Sequence, residues 1–276
     1  MIPDPVTGLL LGIIQGLTEF LPISSSGHLV VFQNIFGLRE PELLFDSALH
    51  VGTLLAVCIY FRSDLRQMII ETFEYLIDCF RGRKRLSEIR EVPYASLTLS
   101  VLIGTIPTAV IGLLFRHLLE RLFGSVSWVG MMLVFNGFML AVTRTVPGDY
   151  TRRTRIALMA ALAVGTAQGL ALIPGISRSG ATIVCGMMFM MERDLSARYS
   201  FLLSIPAIVG AIVLQLNVEG GVSGSYLSLM SGLIAAALVG LFALKLLMGM
   251  VRKGNLYYFA PYCWALGLFI LAVQLF

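Results

Sequence analysis

Six apolar runs set the terms for this chain: about 45–61, 95–115, 128–143, 198–216, 227–250 and 257–275. The hydrocarbon core of a bilayer is about 30 Å thick and takes roughly 20 helical residues to cross. These runs are longer than strands, so they predict helical spans rather than a barrel. The third is short and crosses only if tilted or extended at one end. Composition agrees, since 57% of the 276 residues are hydrophobic and 13% are charged, against roughly 25% charged in soluble domains. The chain therefore reads as an all-α polytopic membrane protein. Its net charge of +4 does not point to nucleic acid, because the basic residues fall in short loops, where they set topology. Cys58, Cys79, Cys185 and Cys263 are scattered without metal-type spacing and read as small core residues.

Two further apolar regions, 8–36 and 156–191, are each interrupted by a cluster of Pro, Gly and Ser. Each half of such a region is about ten residues, too short to span. Both read as re-entrant helical hairpins that turn near mid-depth and leave on the side they entered. They are copies of one another. At an offset of 153, Gly12, Gln15, Gly16 and Leu17 match Gly165, Gln168, Gly169 and Leu170, and Ser24, Ser26 and Gly27 match Ser177, Ser179 and Gly180. The chain therefore reads as a duplication within one membrane domain. Residues 1–150 and 151–276 each hold one hairpin and three spans. An odd number of spans per half inserts the second half upside down, giving an inverted-topology repeat.

Charge supplies the orientation independently. The loop at 62–94 holds Arg62, Arg66, Arg81, Arg83, Lys84, Arg85 and Arg90, and the loop at 144–155 holds Arg144, Arg152, Arg153 and Arg155. With Arg193, Arg198, Arg252 and Lys253 these share one side, which the positive-inside rule makes cytoplasmic. The opposite loops hold Glu40, Glu42, Glu120 and Glu219 against Arg39, Arg116 and Arg121. Both termini are then expected outside. The first hairpin dips in from outside, the second from the cytoplasm, and their tips meet within the membrane.

The meeting point is chemically dense. Gln15 and Glu19 are four apart and share a helix face. Pro22 ends that helix, and Ser24, Ser25, Ser26, Gly27 and His28 follow. A carboxylate at bilayer depth costs roughly 2.5–3.5 kcal/mol on insertion scales, which makes Glu19 a functional candidate by default. Half-helices are expected to begin near His28 and near Ala181, aiming two positive N-termini at one point. The second tip adds Arg178, whose planar fork suits phosphate oxygens, flanked by Ser177, Ser179 and Gly180. Glu19 suits either a divalent cation that bridges phosphates or a proton. Each feature also has a plain structural reading. Gly16 and Gly169 suit close helix packing, the serines suit helix caps, and Glu19 with Arg178 suits a structural ion pair. Asp46 and His50, four apart on the first span, read as interface residues.

Q-G-L-T-E-F-L-P-I-S-S-S-G-H at 15–28 and P-G-I-S-R-S-G-A-T at 174–182 resemble the two signature regions of the undecaprenyl-diphosphate phosphatases, the bacitracin-resistance family. The resemblance covers the whole chain. It implies hydrolysis of undecaprenyl diphosphate to the monophosphate that carries cell-wall precursors, with the site on the outer face of the bacterial plasma membrane. It assigns the acidic motif to Gln15 and Glu19, the serine motif to Ser24 and Ser25, the histidine to His28 and the phosphate-binding arginine to Arg178. Members carry Glu or Gln at the first acidic position. With Gln15 there, Glu19 alone carries the charge. Dependence on Mg²⁺ or Ca²⁺ is implied in the same way, with Glu19 as the metal-side residue.

The mechanism expected is attack by Ser25 on the terminal phosphorus, with His28 or Glu19 taking its proton, or direct attack by water with His28 as base. Two rivals share some of these features. The type-two phosphatidic acid phosphatases also carry an S-G-H element. They need an Arg-Pro element, absent here, and a histidine six residues after the serine-arginine pair, where this chain has Val184. A lipid-phosphate transporter would use the same inverted repeat and anion site without a nucleophile.

Overall fold

The computed structural model describes residues 4–35, 43–146, 155–216 and 226–274, and among them every regular element is a helix. In chain order these are α1 (Pro5–Phe20), α2 (Ser25–Ile35), α3 (Leu43–Tyr60), α4 (Arg62–Phe80), α5 (Pro93–Leu114), α6 (Arg116–Phe123) and α7 (Val126–Ala141). There follow α8 (Leu158–Leu170), α9 (Arg178–Met188), α10 (Arg193–Leu216), α11 (Tyr226–Arg252) and α12 (Ala260–Val273). Of the loop charges that set the expected orientation, Arg39, Glu40, Glu42, Arg152, Arg153 and Glu219 lie outside the described residues.

Among the described residues, five helical stretches are long and apolar enough to cross a bilayer: Pro93–Leu114, Val126–Arg144, Arg193–Leu214, Tyr226–Arg252 and Leu256–Val273. The expected span at 45–61 forms α3, which meets α4 at a 73° bend, so the count is five, or six with that broken pair. The stretch at 62–94 is not the loop its charges suggested. It holds α4 and a 3-10 helix at Leu86–Glu91. Helical spacing puts Met68 and Tyr75 on one buried face of α4 while Arg62 and Arg66 stay exposed, so the charges hide an amphipathic helix.

The two hairpins are α1–α2 and α8–α9. Asp4 caps α1 by accepting from the amides of Val6 at 2.9 Å and Thr7 at 3.2 Å, with Pro5 in the first turn. Pro22 forces Leu21 into an extended conformation (φ −62°, ψ 141°) and ends the helix. At 16 and 13 residues, α1 and α8 are longer than the ten expected, yet short of a full span.

Each hairpin packs on a long helix of the other half. Gly8, Gly12 and Gly16 line one side of α1 and lie against Ser228, Gly232 and Gly240 of α11, and a Cβ on Gly12 would run into the Gly232 backbone. The repeat partner of Gly12 is Gly165 on α8, where a Cβ would run into the Gly104 backbone on α5. Such small-residue stripes let backbones approach in lipid, and hydroxyls add hydrogen bonds across them. Ser231 Oγ donates to the Pro5 carbonyl at 3.1 Å, and Thr108 Oγ1 donates to the Gly165 carbonyl at 2.8 Å. Gly16 and Gly169 are packing residues, set against α11 and against Ile111. At one end of the bundle, Arg252 pairs with Asp194 at 2.6 Å and Arg198 with Asp64 at 3.2 Å, tying together α11, α10 and α4.

Candidate active site where two hairpin tips meet

The tip helices begin three residues earlier than expected, at Ser25 rather than His28 and at Arg178 rather than Ala181. The cause is capping. Ser177 Oγ accepts from the Gly180 amide at 3.1 Å, and Ser24 Oγ accepts from the Gly27 amide at 3.3 Å. Each cap serine also meets the serine two residues on, Ser26 at 3.3 Å and Ser179 at 3.2 Å. Two turns are reached through left-handed backbone. Gly175 has φ +97°, and a Cβ there would strike Val129 and Met132. Ser24, which is not a glycine, has φ 69°.

Glu19 is the hub. Its Oε1 pairs with the Arg178 guanidinium from the opposite tip. Its Oε2 accepts from Ser25 Oγ at 2.6 Å and from Gln15 Nε2 at 3.0 Å. The Glu19 side chain is 5% exposed and that of Arg178 is 18%. A carboxylate thus touches a hydroxyl on one oxygen and a guanidinium on the other, beside two helix N-termini. Gln15 Oε1 is buried and has no hydrogen-bond partner among the described residues.

The tips are fastened to each other by groups that spacing alone did not reveal. Asn136, in the middle of α7, donates from Nδ2 to the Pro22 carbonyl at 2.8 Å and accepts on Oδ1 from the Ser177 amide at 3.1 Å. Ser179 Oγ donates to the Phe20 carbonyl at 2.9 Å. A fully buried polar residue in an apolar span was the available signal for Asn136. Tyr262 on α12, 234 residues from His28, carried no such signal, yet its hydroxyl sits 2.7 Å from His28 Nε2.

The sequence-derived residues therefore converge, with one difference in detail. Gln15, Glu19, Ser25 and Arg178 touch in a chain of contacts. Ser24, Ser26, Gly27, Ser177, Ser179 and Gly180 build the two turns around them. His28 is at the tip, but its ring nitrogens face the Ser24 carbonyl at 2.8 Å and Tyr262, not Ser25. His50 Nδ1 on α3 donates to the Asp46 carbonyl at 2.8 Å.

Among the described residues no group of three His, Cys, Asp or Glu converges on a point. Glu19 with the unpartnered Gln15 Oε1 supplies two oxygens, which matches the Mg²⁺ habit of taking one or two carboxylates and completing its shell with water and substrate phosphates. The residues fit a cation shared with a substrate and not one held by the protein alone.

A family model described as bacitracin resistance protein BacA matches residues 8–269. The chain is 45% identical over 268 residues to the undecaprenyl-diphosphatase of Desulfatibacillum aliphaticivorans, covering 96% of this chain and 97% of that one. It is 44% identical to the undecaprenyl-diphosphatase of Desulfosudis oleivorans, covering 96% of each. It is also 37% identical to that of Methanosphaera stadtmanae, again over 96% of each.

Proposed function

The chain belongs to the bacitracin resistance protein BacA family and is a membrane undecaprenyl-diphosphatase, and from that premise we propose that the paired hairpin tips carry the hydrolysis. The reaction converts undecaprenyl diphosphate to undecaprenyl phosphate and inorganic phosphate, the recycling step behind bacitracin resistance. The observation that carries the assignment is the double engagement of Glu19: Ser25 Oγ at 2.6 Å on one oxygen, Arg178 on the other.

Without substrate, Arg178 is held by Glu19. An arriving diphosphate brings oxygens that compete for the guanidinium, and the N-termini of α2 and α9 add backbone donors. As Arg178 turns to the phosphates, Glu19 is freed to take the Ser25 proton. Ser25 Oγ then forms a bond to the terminal phosphorus while the bond to the bridging oxygen breaks, and undecaprenyl phosphate leaves. Glu19 passes that proton to the departing phosphate; water then attacks phosphorus, giving a proton to Glu19 as the Ser25–phosphorus bond breaks, and Glu19 returns it to Ser25 Oγ as inorganic phosphate leaves. Arg178 and the helix ends stabilise charge on the equatorial oxygens in both steps. A divalent cation, Mg²⁺ or Ca²⁺, would be held by Glu19 and Gln15 with the substrate phosphates, and would supply further charge neutralisation there.

The finer topology belongs to the same proposal. The halves 1–150 and 151–276 form one membrane domain as an inverted-topology repeat of six spans and two re-entrant hairpins. The reciprocal packing of α1 on α11 and α8 on α5, through repeat-related Gly12 and Gly165, supports this reading. The gathering of Arg198 and Arg252 at one end supports a cytoplasmic face there. Both termini and the mouth of the site then open on the outer side of the plasma membrane.

The test is a rapid acid quench of purified protein turning over a prenyl diphosphate, followed by mass spectrometry for phosphoserine. Phosphate on Ser25 in the wild type, absent in Glu19→Gln, is expected. Full turnover by a folded Ser25→Ala protein would refute the covalent route and leave the attack to water.

A further inference from the structure

We propose that His28 and Tyr262 form a clamp that holds the strained turn beneath the nucleophile, with Tyr262 as a positioning residue and His28 taking no proton from Ser25. This rests on the assignment of Ser25 and Glu19 above.

A carbonyl oxygen can only accept, so the His28 Nδ1 that lies 2.8 Å from Ser24 O carries the proton. In the neutral ring Nε2 is then an acceptor, and the Tyr262 hydroxyl at 2.7 Å donates to it. Both nitrogens are used, in a side chain that is buried and whose ring stacks on that of Tyr262 with centroids 5.8 Å apart and planes 7° apart. Neither nitrogen is left to receive a proton from Ser25.

The clamp acts where the backbone needs it. Ser24 adopts φ 69°, a left-handed conformation that residues with a side chain rarely take. Its carbonyl is fixed by the His28 amide at 3.2 Å as well as by the His28 ring. Ser25 follows directly, so the direction of its hydroxyl toward Glu19 depends on that held turn. The molecule carries its own control. At the second tip the matching Ser177 has φ −77°, an ordinary value, and the position matching His28 is Ala181. The imidazole is present at the strained tip and absent at the relaxed one.

His28→Asn separates a clamp from a base, because the Asn amide can still donate to the Ser24 carbonyl but cannot shuttle a proton. The clamp predicts that purified His28→Asn keeps kcat within roughly tenfold of wild type, about the worth of one imperfect hydrogen bond, while His28→Ala falls further. Tyr262→Phe should lower kcat to a similar degree with KM unchanged, and the double variant Tyr262→Phe/His28→Asn should be no worse than His28→Asn alone. A ¹⁵N NMR spectrum of the imidazoles should show His28 in the Nδ1–H form in wild type, and Tyr262→Phe should keep that form while the Nε2 resonance shifts as it loses its hydrogen-bond donor. A loss of about 10²–10⁴ in His28→Asn, as for a removed general base, would overturn the proposal. An Nε2–H ring in the wild type would overturn it as well. Ser25→Ala run in the same series tells the two readings apart: its turnover would sink the nucleophile assignment, while the NMR spectrum still scores the clamp.

Discussion

Glu19 and Arg178 can be separated into a structural and a chemical contribution by changing each and then both. They are one another's counter-charge, with side chains 5% and 18% exposed. Removing one charge from a buried pair strands the other, at a cost of about 3–5 kcal/mol. Glu19→Gln keeps the shape and an oxygen able to accept from Ser25, so its stability loss reports the stranded guanidinium. Arg178→Met, similar in length and apolar, strands the carboxylate instead. Each is expected to lose about 3–5 kcal/mol, while the double variant, an uncharged pair of similar volume, should return to within about 1–2 kcal/mol of wild type. Phosphate release should be absent in all three, because the chemistry needs both charges and the fold needs only that they cancel. The assay is equilibrium unfolding in mixed micelles followed by circular dichroism, beside phosphate release from a prenyl diphosphate. Additive losses, about 6–10 kcal/mol in the double variant, would show that the pair does not compensate itself. Substantial hydrolysis by the double variant would remove both residues from the mechanism.

Other perturbations test separate parts of the argument. Asn136→Leu should leave the Ser177 amide unpaired in the core and the Pro22 carbonyl with only the long Cys263 thiol contact, costing about 1–3 kcal/mol for the amide in unfolding measurements and lowering kcat as the tips lose register; an unchanged kcat would mean the tips align without it. Gly165→Val, driven against the Gly104 backbone, should cost about 1–3 kcal/mol or prevent folding, whereas Gly210→Ala, with open space around it, should gain about 0.5–1 kcal/mol. Chelation should abolish phosphate release and Mg²⁺ or Ca²⁺ restore it, while the unfolding midpoint of the substrate-free protein stays put, because the cation is shared with substrate; a large fall in that midpoint would reveal a resident metal.

What the sequence could carry was arithmetic along the chain. The offset of 153 was enough to bring Glu19 and Arg178, 159 residues apart, to one point. Hydropathy set the helical spans, with α3 as the one that its bend into α4 complicates. It missed α4 because an interfacial helix mixes charge with apolar residues, and window averages cancel them. The tip boundaries slipped by three residues because the serines act as caps, which starts a helix at the residue after them. Asn136 and Tyr262 escaped because nothing along the chain links α7 or α12 to the tips; only packing does. For His28, spacing gives neighbours on a helix and says nothing of which atom each ring nitrogen meets, and those atoms are the Ser24 carbonyl and the Tyr262 hydroxyl.

The residue matches at offset 153 also say where to look for chemistry. The repeat-matched residues are the frame: Gly12 and Gly165 seat the hairpins, while Ser24 and Ser177 cap the tips. A frame present twice cannot by itself distinguish acid from base or nucleophile from phosphate ligand. Reactivity is sought where the copies differ, and among the differing pairs those with a reactive group are Glu19 with Leu172, Ser25 with Arg178, and His28 with Ala181. Carboxylate, hydroxyl and imidazole all fall on the first tip and the guanidinium on the second. The ion pair between the tips is therefore the point at which two copies of one structure become a single asymmetric site. A substitution that made the second tip more like the first, such as Arg178→Ser, should strand the Glu19 carboxylate at the same cost of about 3–5 kcal/mol while leaving the Ser177 cap in place, and activity should vanish with the asymmetry.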